Sequence, residues 1–425
     1  MSVRNSFTVF LILLISACAS HQPIESQKHA DMNKLKFTNP STLDSALDGF
    51  IEDNRLVGVS ALIYKNNKEV YFNAFGKADR ETGQPMARNT IVQIYSMTKP
   101  IVGVALMTLY EEGKFDLSDP IAKYVPELAN LKLYAGSDEN GEMILISPAR
   151  QPTVLDFMRH TPGVGDENMP GPIGKLWKQD DPTALTNTLT EVAEKIAKIP
   201  LAYEPGSVWR YGPSVEIQAL MVERLSGQSL AEYLQEKIFT PLGMKDTSYY
   251  VEPSKRDRFA QMYTLESDGS TKIGEDRFAA DIKFKHWPRN PGGYGLTSTV
   301  DDYMRFALML LNGGTLDGVR ILESETIKLM ATDFLGKAIT DRAWLTAAKG
   351  RVGFGLDFAV RMAPPMTDDE IFGYVGEFFW DGLATTIFWV DPVNELTVVF
   401  FTQLIPHRDP IHKEFRDAVY GVRGK

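Results

Sequence analysis

Tyr95-Ser96-Met97-Thr98-Lys99-Pro100, followed by the apolar run IVGVALMTLYEEG to Gly113, decides how this chain is read. The run predicts a helix over about Ser96 to Glu112, closed by Gly113. Ser96 and Lys99 lie three residues apart at its start, so their side chains leave one face. A helix N-terminus offers free N–H groups and positive partial charge. A serine there becomes a nucleophile once a base takes its proton, and a desolvated lysine can be that base. By itself the spacing is better read as a serine N-cap beside a solvated lysine.

Outward from this segment, Ser41-Thr-Leu-Asp44 reads as a capping box opening a helix that fades near Asn54. Val59 to Lys65 and Glu69 to Phe75, joined by Asn66-Asn67-Lys68, read as a β-hairpin. The stretch from about 115 to 345 is loop-rich and helical. Its helices are expected at Thr153-Val-Leu-Asp156, Leu185 to Lys198, Val215 to Leu225, Leu230 to Phe239 (stopping before Pro241), and from Ser298-Thr-Val-Asp301 to Leu311. Strands return at Thr385 to Val390 and Glu395 to Gln403, and a last helix covers about Pro410 to Tyr420. Strands at both ends with helices between them predict an α+β chain: one antiparallel sheet built from the two termini, with a mainly helical subdomain inserted. The expected division is an α/β part over about 39–114 and 346–425 and a helical part over about 115–345.

Composition narrows the chemistry. The 425 residues carry Lys+Arg 45 against Asp+Glu 55, a net charge of −10, and 44% hydrophobic residues, which suits a globular core. With no clustered basic run, nucleic acid is not an expected partner. One cysteine forms no internal disulfide and no thiolate cage, and the six histidines show no ligand spacing, so no metal and no cofactor are expected. No serine stands in a G-x-S-x-G elbow, and there is no HExxH, P-loop or Gly-rich dinucleotide turn.

The single cysteine, Cys18, follows Arg4, an apolar run from Phe7 to Ile15, and the small residues Ser16-Ala17. That order predicts a secretory signal over 1–17. Ile15-Ser16-Ala17-Cys18 also resembles a bacterial lipoprotein signal, which implies acylation of Cys18, a polar tether over 18–38, and a body over 39–425 held at the cell envelope. An ordinary signal peptide with an incidental cysteine is the plainer alternative.

Several segments together resemble class C serine β-lactamases, penicillin-binding proteins and family VIII carboxylesterases. They are YSMTKPIVGVALMTLYEEGKFDLSDPIAKYVPEL, Arg159 to Gly163, Glu204 to Ser214, Phe239 to Tyr250, Gly293 to Gly314 and Trp380 to Pro392. The resemblance implies a β-lactamase/transpeptidase-like fold and an acyl-enzyme on Ser96, with Lys99 as general base. Tyr211 falls on the tyrosine of the second motif, as phenolate or proton relay. Trp380-Asp381-Gly382 falls on the third motif, whose following N–H, here that of Leu383, would join that of Ser96 as the oxyanion hole. Pro213 replaces the second motif's asparagine and Trp380 the third motif's lysine. These departures imply a neutral ester substrate, with Trp380 as an aromatic wall and Asp381 repelling anions if it faces the site. Asp301-Asp302 reads as first-turn dipole chemistry and His160 as a structural hydrogen-bonder. Tyr249-Tyr250 and the aromatics Phe284, Trp287 and Tyr294 read as core or cleft lining. A β-lactamase or D-amino-acid peptidase, and a catalytically silent tethered binding protein on the same scaffold, are the rival functions. Nothing in the sequence sets the oligomeric state.

Overall fold

A computed structural model describes residues 39–342, 345 and 349–422. Cys18 and the expected signal and tether lie outside the described residues. The elements that build the site are, in chain order, α1 (Pro40–Glu52), β1 (Gly58–Lys65), β2 (Lys68–Asp79), β3 (Gln84–Pro85), α2 (Thr98–Glu111), α3 (Ser214–Ser226), α4 (Val300–Leu311), β4 (Val352–Phe354), β5 (Ala359–Arg361), β6 (Phe378–Asp381), β7 (Ile387–Asp391), β8 (Leu396–Thr402) and α5 (Asp409–Tyr420).

The strands form one eight-stranded sheet in the order β4-β5-β6-β7-β8-β1-β2-β3. Its pairs are antiparallel, and the two chain ends meet where β1 pairs with β8, Leu62 opposite Val399. The fold is that of β-lactamases and transpeptidases. The hairpin turn forms at Asn66-Asn67, both with positive φ (53° and 56°), the pairing that suits a tight hairpin between twisted strands.

Alternation along β8 explains the layers. Phe400 packs edge-on against Phe50 of α1 and lies 4.7 Å from Phe415 of α5, while Phe401 faces Tyr303 of α4. Adjacent strand residues point to opposite faces, so one strand is covered on both sides and all its residues are buried. Truncating Phe400 to Ala would cost about 3–5 kcal/mol on this account.

Local structure departs from expectation in instructive places. Helix α1 is capped by Asn39, whose side chain accepts from the Ser41 N–H, and not by Ser41; Asp44 instead accepts from Tyr71 and Asn73 on β2. The cap of α4 is Thr299, one residue beyond the expected Ser298, since its hydroxyl reaches the N–H of Asp302. The helix at Leu230 runs past Pro241 to Leu242 through a wider turn over Gln235–Phe239, because a proline in a first turn sacrifices no hydrogen bond. Helix 189–198 starts four residues later than expected, at the Thr188/Glu191 capping box. Strands β4, β5 and β6, too short or too uniformly apolar to show alternation, were not anticipated, nor was the helix Gly171–Asp180.

Candidate active site

Ser96 sits in a 3₁₀ turn, Tyr95–Met97, that leads directly into α2. Tyr95 adopts φ 44°, unusual for a bulky residue and compatible with a chain that must turn sharply ahead of the serine. The segment 293–298 laces to this corner. Val92-Gln93 pairs with Thr297-Ser298, and the Ile94 N–H donates to Leu296 O (3.1 Å). In turn the Leu296 N–H donates to Thr98 Oγ1 (3.2 Å).

Lys99, 5% exposed, donates from Nζ to Ser96 Oγ at 3.2 Å and to Gly293 O at 2.6 Å, and its ammonium lies 4.5 Å from the Tyr211 ring centre. Gly293 owes its place to α3. The Glu216 carboxylate accepts the N–H groups of Gly292 (3.2 Å) and Gly293 (3.0 Å), while Arg289 pairs with it from the far side (3.5 Å). A Cβ at Gly292 would stand 2.2 Å from Val215 O, so only glycine allows the approach. Glu216 was not singled out in the sequence; its signal was an acidic residue in the first turn after the second motif.

Tyr211 joins the dyad from the loop preceding α3, and its Oη accepts from Trp380 Nε1 at 3.1 Å. Trp380 is therefore not an aromatic wall. The indole is 1% exposed, packed on Tyr211 and Phe354, with its N–H directed at the phenol. Gly382 abuts the nucleophile's corner: a Cβ there would lie 2.5 Å from Ile94 O and 2.3 Å from Thr386 Oγ1. In this turn Gly382 N–H donates to Thr386 O and Thr385 N–H to Gly382 O, whereas the Leu383 N–H donates to no group among the described residues. Pro213 lines a cleft of about 580 Å³ together with Lys99, Tyr211, Trp209, Arg210 and Tyr294.

Behind the dyad, His160 and Asp357 are buried 3.7 Å apart. The expected hydrogen-bonding role of His160 is not observed, because neither ring nitrogen has a described partner; the ring packs on Trp209, Tyr211 and Phe354. Burial, and then the Lys99 charge, push its pKa well below the ordinary value. Burial pushes Asp357 well above its own, against the hydrogen bond from Gln218 and the Lys99 charge. Both shifts favour the uncharged form of the group.

Asp381 does not meet the substrate side. It is buried and ion-paired with Lys349, which also reaches Asp409 Oδ1 at 3.1 Å. Burial opposes charge on Lys349, yet Asp381 and Asp409 hold its pKa above the ordinary value. His407 Nδ1 contacts Gly382 O (3.1 Å), and His412 Nε2 contacts Thr385 O (2.8 Å), so two imidazoles brace the turn that carries Leu383. Although no ligand spacing was visible in the sequence, the fold places ligand-type atoms of Asp381, His407, Asp409 and His412 within 4.8 Å of one another. The Lys349 ammonium touches three of the four residues, which is the place and charge a cation would take. Asp301, expected to serve the helix dipole, pairs with Arg88, while Asp302 accepts from the Asp246 N–H and the Thr247 hydroxyl.

A serine on a helix-entry turn, a buried lysine on the next turn, and a tyrosine across from both define the site of a serine hydrolase set beside an antiparallel sheet. Residues 43–420 match the family model described as Beta-lactamase, and the chain belongs to that family. It is 33% identical over 361 residues to Protein Rv1367c of Mycobacterium tuberculosis, covering 83% of this chain and 86% of that one. It is 27% identical over 400 residues to Esterase EstB of Burkholderia gladioli, covering 89% and 94%. Among solved structures, the unliganded selenomethionyl Simvastatin Synthase (LovD) of Aspergillus terreus superposes with a TM-score of 0.76 at 21% identity over 91% of this chain and all (100%) of the other, a likeness of fold.

Proposed function

We propose that the protein hydrolyses carboxylic esters through an acyl-enzyme on Ser96. The observation that carries this reading is the Lys99 Nζ–Ser96 Oγ contact of 3.2 Å beneath Tyr211. Lys99 takes the hydroxyl proton as Ser96 Oγ attacks the ester carbonyl carbon. The developing oxyanion accepts from the N–H groups of Ser96 and Leu383, the latter having no competing acceptor among the described residues. Tyr211, steadied by the Trp380 N–H, gives its phenolic proton to the departing alkoxide and regains one from Lys99. Water then attacks the acyl carbon, losing a proton to the Tyr211–Lys99 pair, which returns it to Ser96 Oγ as the acyl bond breaks. The likeness to the Burkholderia gladioli protein EstB, an esterase by name, supports the substrate class. Loss of the third-motif lysine to a buried tryptophan weighs against carboxylate-bearing β-lactams. The test is turnover of p-nitrophenyl butyrate: the wild type cleaves it and Ser96→Ala does not. Equal rates for the two would end the reading.

We also propose export and lipid attachment at Cys18. The wild type should fractionate with membranes and Cys18→Ala should not; co-fractionation of both would overturn the anchor.

A further inference from the structure

Next to the turn that carries the nucleophile lies a second cavity of about 70 Å³, which Tyr95 lines and Tyr211 does not. Gln93 and Tyr95 line it from the strand and turn that lead into Ser96; Lys283, Lys285 and Arg277 line it from the facing segment, and no Asp or Glu contributes to its wall. The larger cleft is of opposite character, with Asp166, Glu167, Glu216 and Asp341 among its residues. Tyr294 belongs to both, so the two spaces share a wall.

Lys285 pairs with Asp281 (3.2 Å), but other polar groups of the wall lack counterparts among the described residues. Gln93 is 2% exposed, yet its side-chain Nε2 has no hydrogen-bond partner, and neither does the buried Tyr95 hydroxyl. Lys283 donates to Gly295 O at 2.6 Å, two residues beyond the carbonyl that Lys99 uses, and pairs with no carboxylate among the described residues. Arg277 likewise has no described ion pair and lies over Phe278. Buried donors without acceptors and cations without counter-ions are costly unless a ligand completes them. Burial around the amine pushes Lys283 down to about 7, a cost that a bound anion would offset.

We propose that this cavity binds an anionic group on the acyl part of the substrate, so that half-esters of short dicarboxylic acids are preferred. The proposal rests on the ester-hydrolase reading and deepens it. The sidedness follows from chemistry. The departing alkoxide must meet Tyr211, which lines the larger cleft, so the acyl chain extends the other way, past Tyr95. A carboxylate there would meet the Lys283 ammonium and the Arg277 guanidinium, which line the cavity opposite Gln93 and Tyr95.

The experiment compares phenyl hydrogen glutarate with phenyl pentanoate, following phenol release against an enzyme-free blank. Wild type should favour the half-ester at least tenfold in kcat/KM. Lys283→Met and, separately, Arg277→Met should each cut that ratio at least fivefold; Arg277 is exposed and its loss spares the core. Ser96-dependent cleavage with no preference for the half-ester, or a preference that survives both substitutions, overturns this proposal and leaves the esterase reading standing. Ser96-independent cleavage overturns the esterase reading itself.

Discussion

Lys99 and Lys349 are both buried, and they serve the two halves of one site: Lys99 touches the nucleophile, and Lys349 holds the residue before Gly382. Their surroundings differ in kind. Lys349 is met by two carboxylates and an imidazole, so its charge is fixed and its role is that of a strut. Lys99 meets a hydroxyl, a carbonyl oxygen and a ring face, none of which neutralises a charge. A buried amine that must carry a proton for only part of a cycle needs the second setting, because a carboxylate neighbour would hold the proton in place. The difference teaches that burial alone does not mark a catalytic lysine; contact with the nucleophile together with the absence of a paired carboxylate does.

The largest expected effect tests that distinction directly. Lys99→Met should lower kcat/KM for p-nitrophenyl butyrate about 10⁴-fold while leaving the urea midpoint nearly unchanged, since a serine without its base loses most of its reactivity. Lys349→Met should do the converse. Removing the ammonium strands Asp381 and Asp409, and breaking a buried pair costs about 3–5 kcal/mol of stability. Equal losses of activity and stability in both variants would erase the contrast.

The sheet formed by the two chain ends and the α2 helix after the nucleophile were legible because each is local, an alternating or apolar run, whereas the three-residue Ser96–Lys99 spacing gained its meaning only from the family resemblance of its neighbours. Tyr211 was placed through the resemblance of its segment to a known family, not through spacing. What escaped depends on contacts distant in sequence. Nothing at Asp381 reveals that Lys349, His407 and Asp409 converge on it, so the residue was read as facing the substrate when its charge is spent internally. Trp380 was read as a wall for a similar reason, since an indole's hydrogen-bond partner across 169 residues has no trace in a linear pattern. Capping errors of one or two residues have a humbler cause: Ser, Thr and Asn compete for the same N–H groups, and the chain's entry angle decides among them.

A smaller effect sharpens the idea that paired buried charges are struts. Asp156 is fully buried; burial would raise its pKa, but Arg150, the Thr153 N–H and Arg159 together hold it below the ordinary carboxylate value. A carboxylate depressed in the folded state contributes stability that is complete above the unfolded pKa of about 3.9 and is lost as pH falls through the folded value. Stability measured by urea unfolding should therefore decline below about pH 4, and Asp156→Asn should cost about 1.5–3 kcal/mol at pH 7 while flattening that acid limb. An unchanged acid limb in the variant would remove Asp156 from the list of struts.

The smallest predicted effect bears on the catalytic side of the comparison. In Trp380→Phe the ring can still pack on Phe354 and Tyr211, but the Nε1–H that donates to Tyr211 Oη at 3.1 Å is gone. One neutral hydrogen bond contributes about 0.5–1.5 kcal/mol, and each 1.36 kcal/mol is tenfold in rate, so kcat should fall about 3–10-fold. KM should hold, because the indole is buried and its loss acts through the tyrosine's ability to move a proton. A raised KM with kcat intact would instead return Trp380 to the substrate's side of the site, and Tyr211 would then have to be steadied by the Lys99 ammonium beneath its ring.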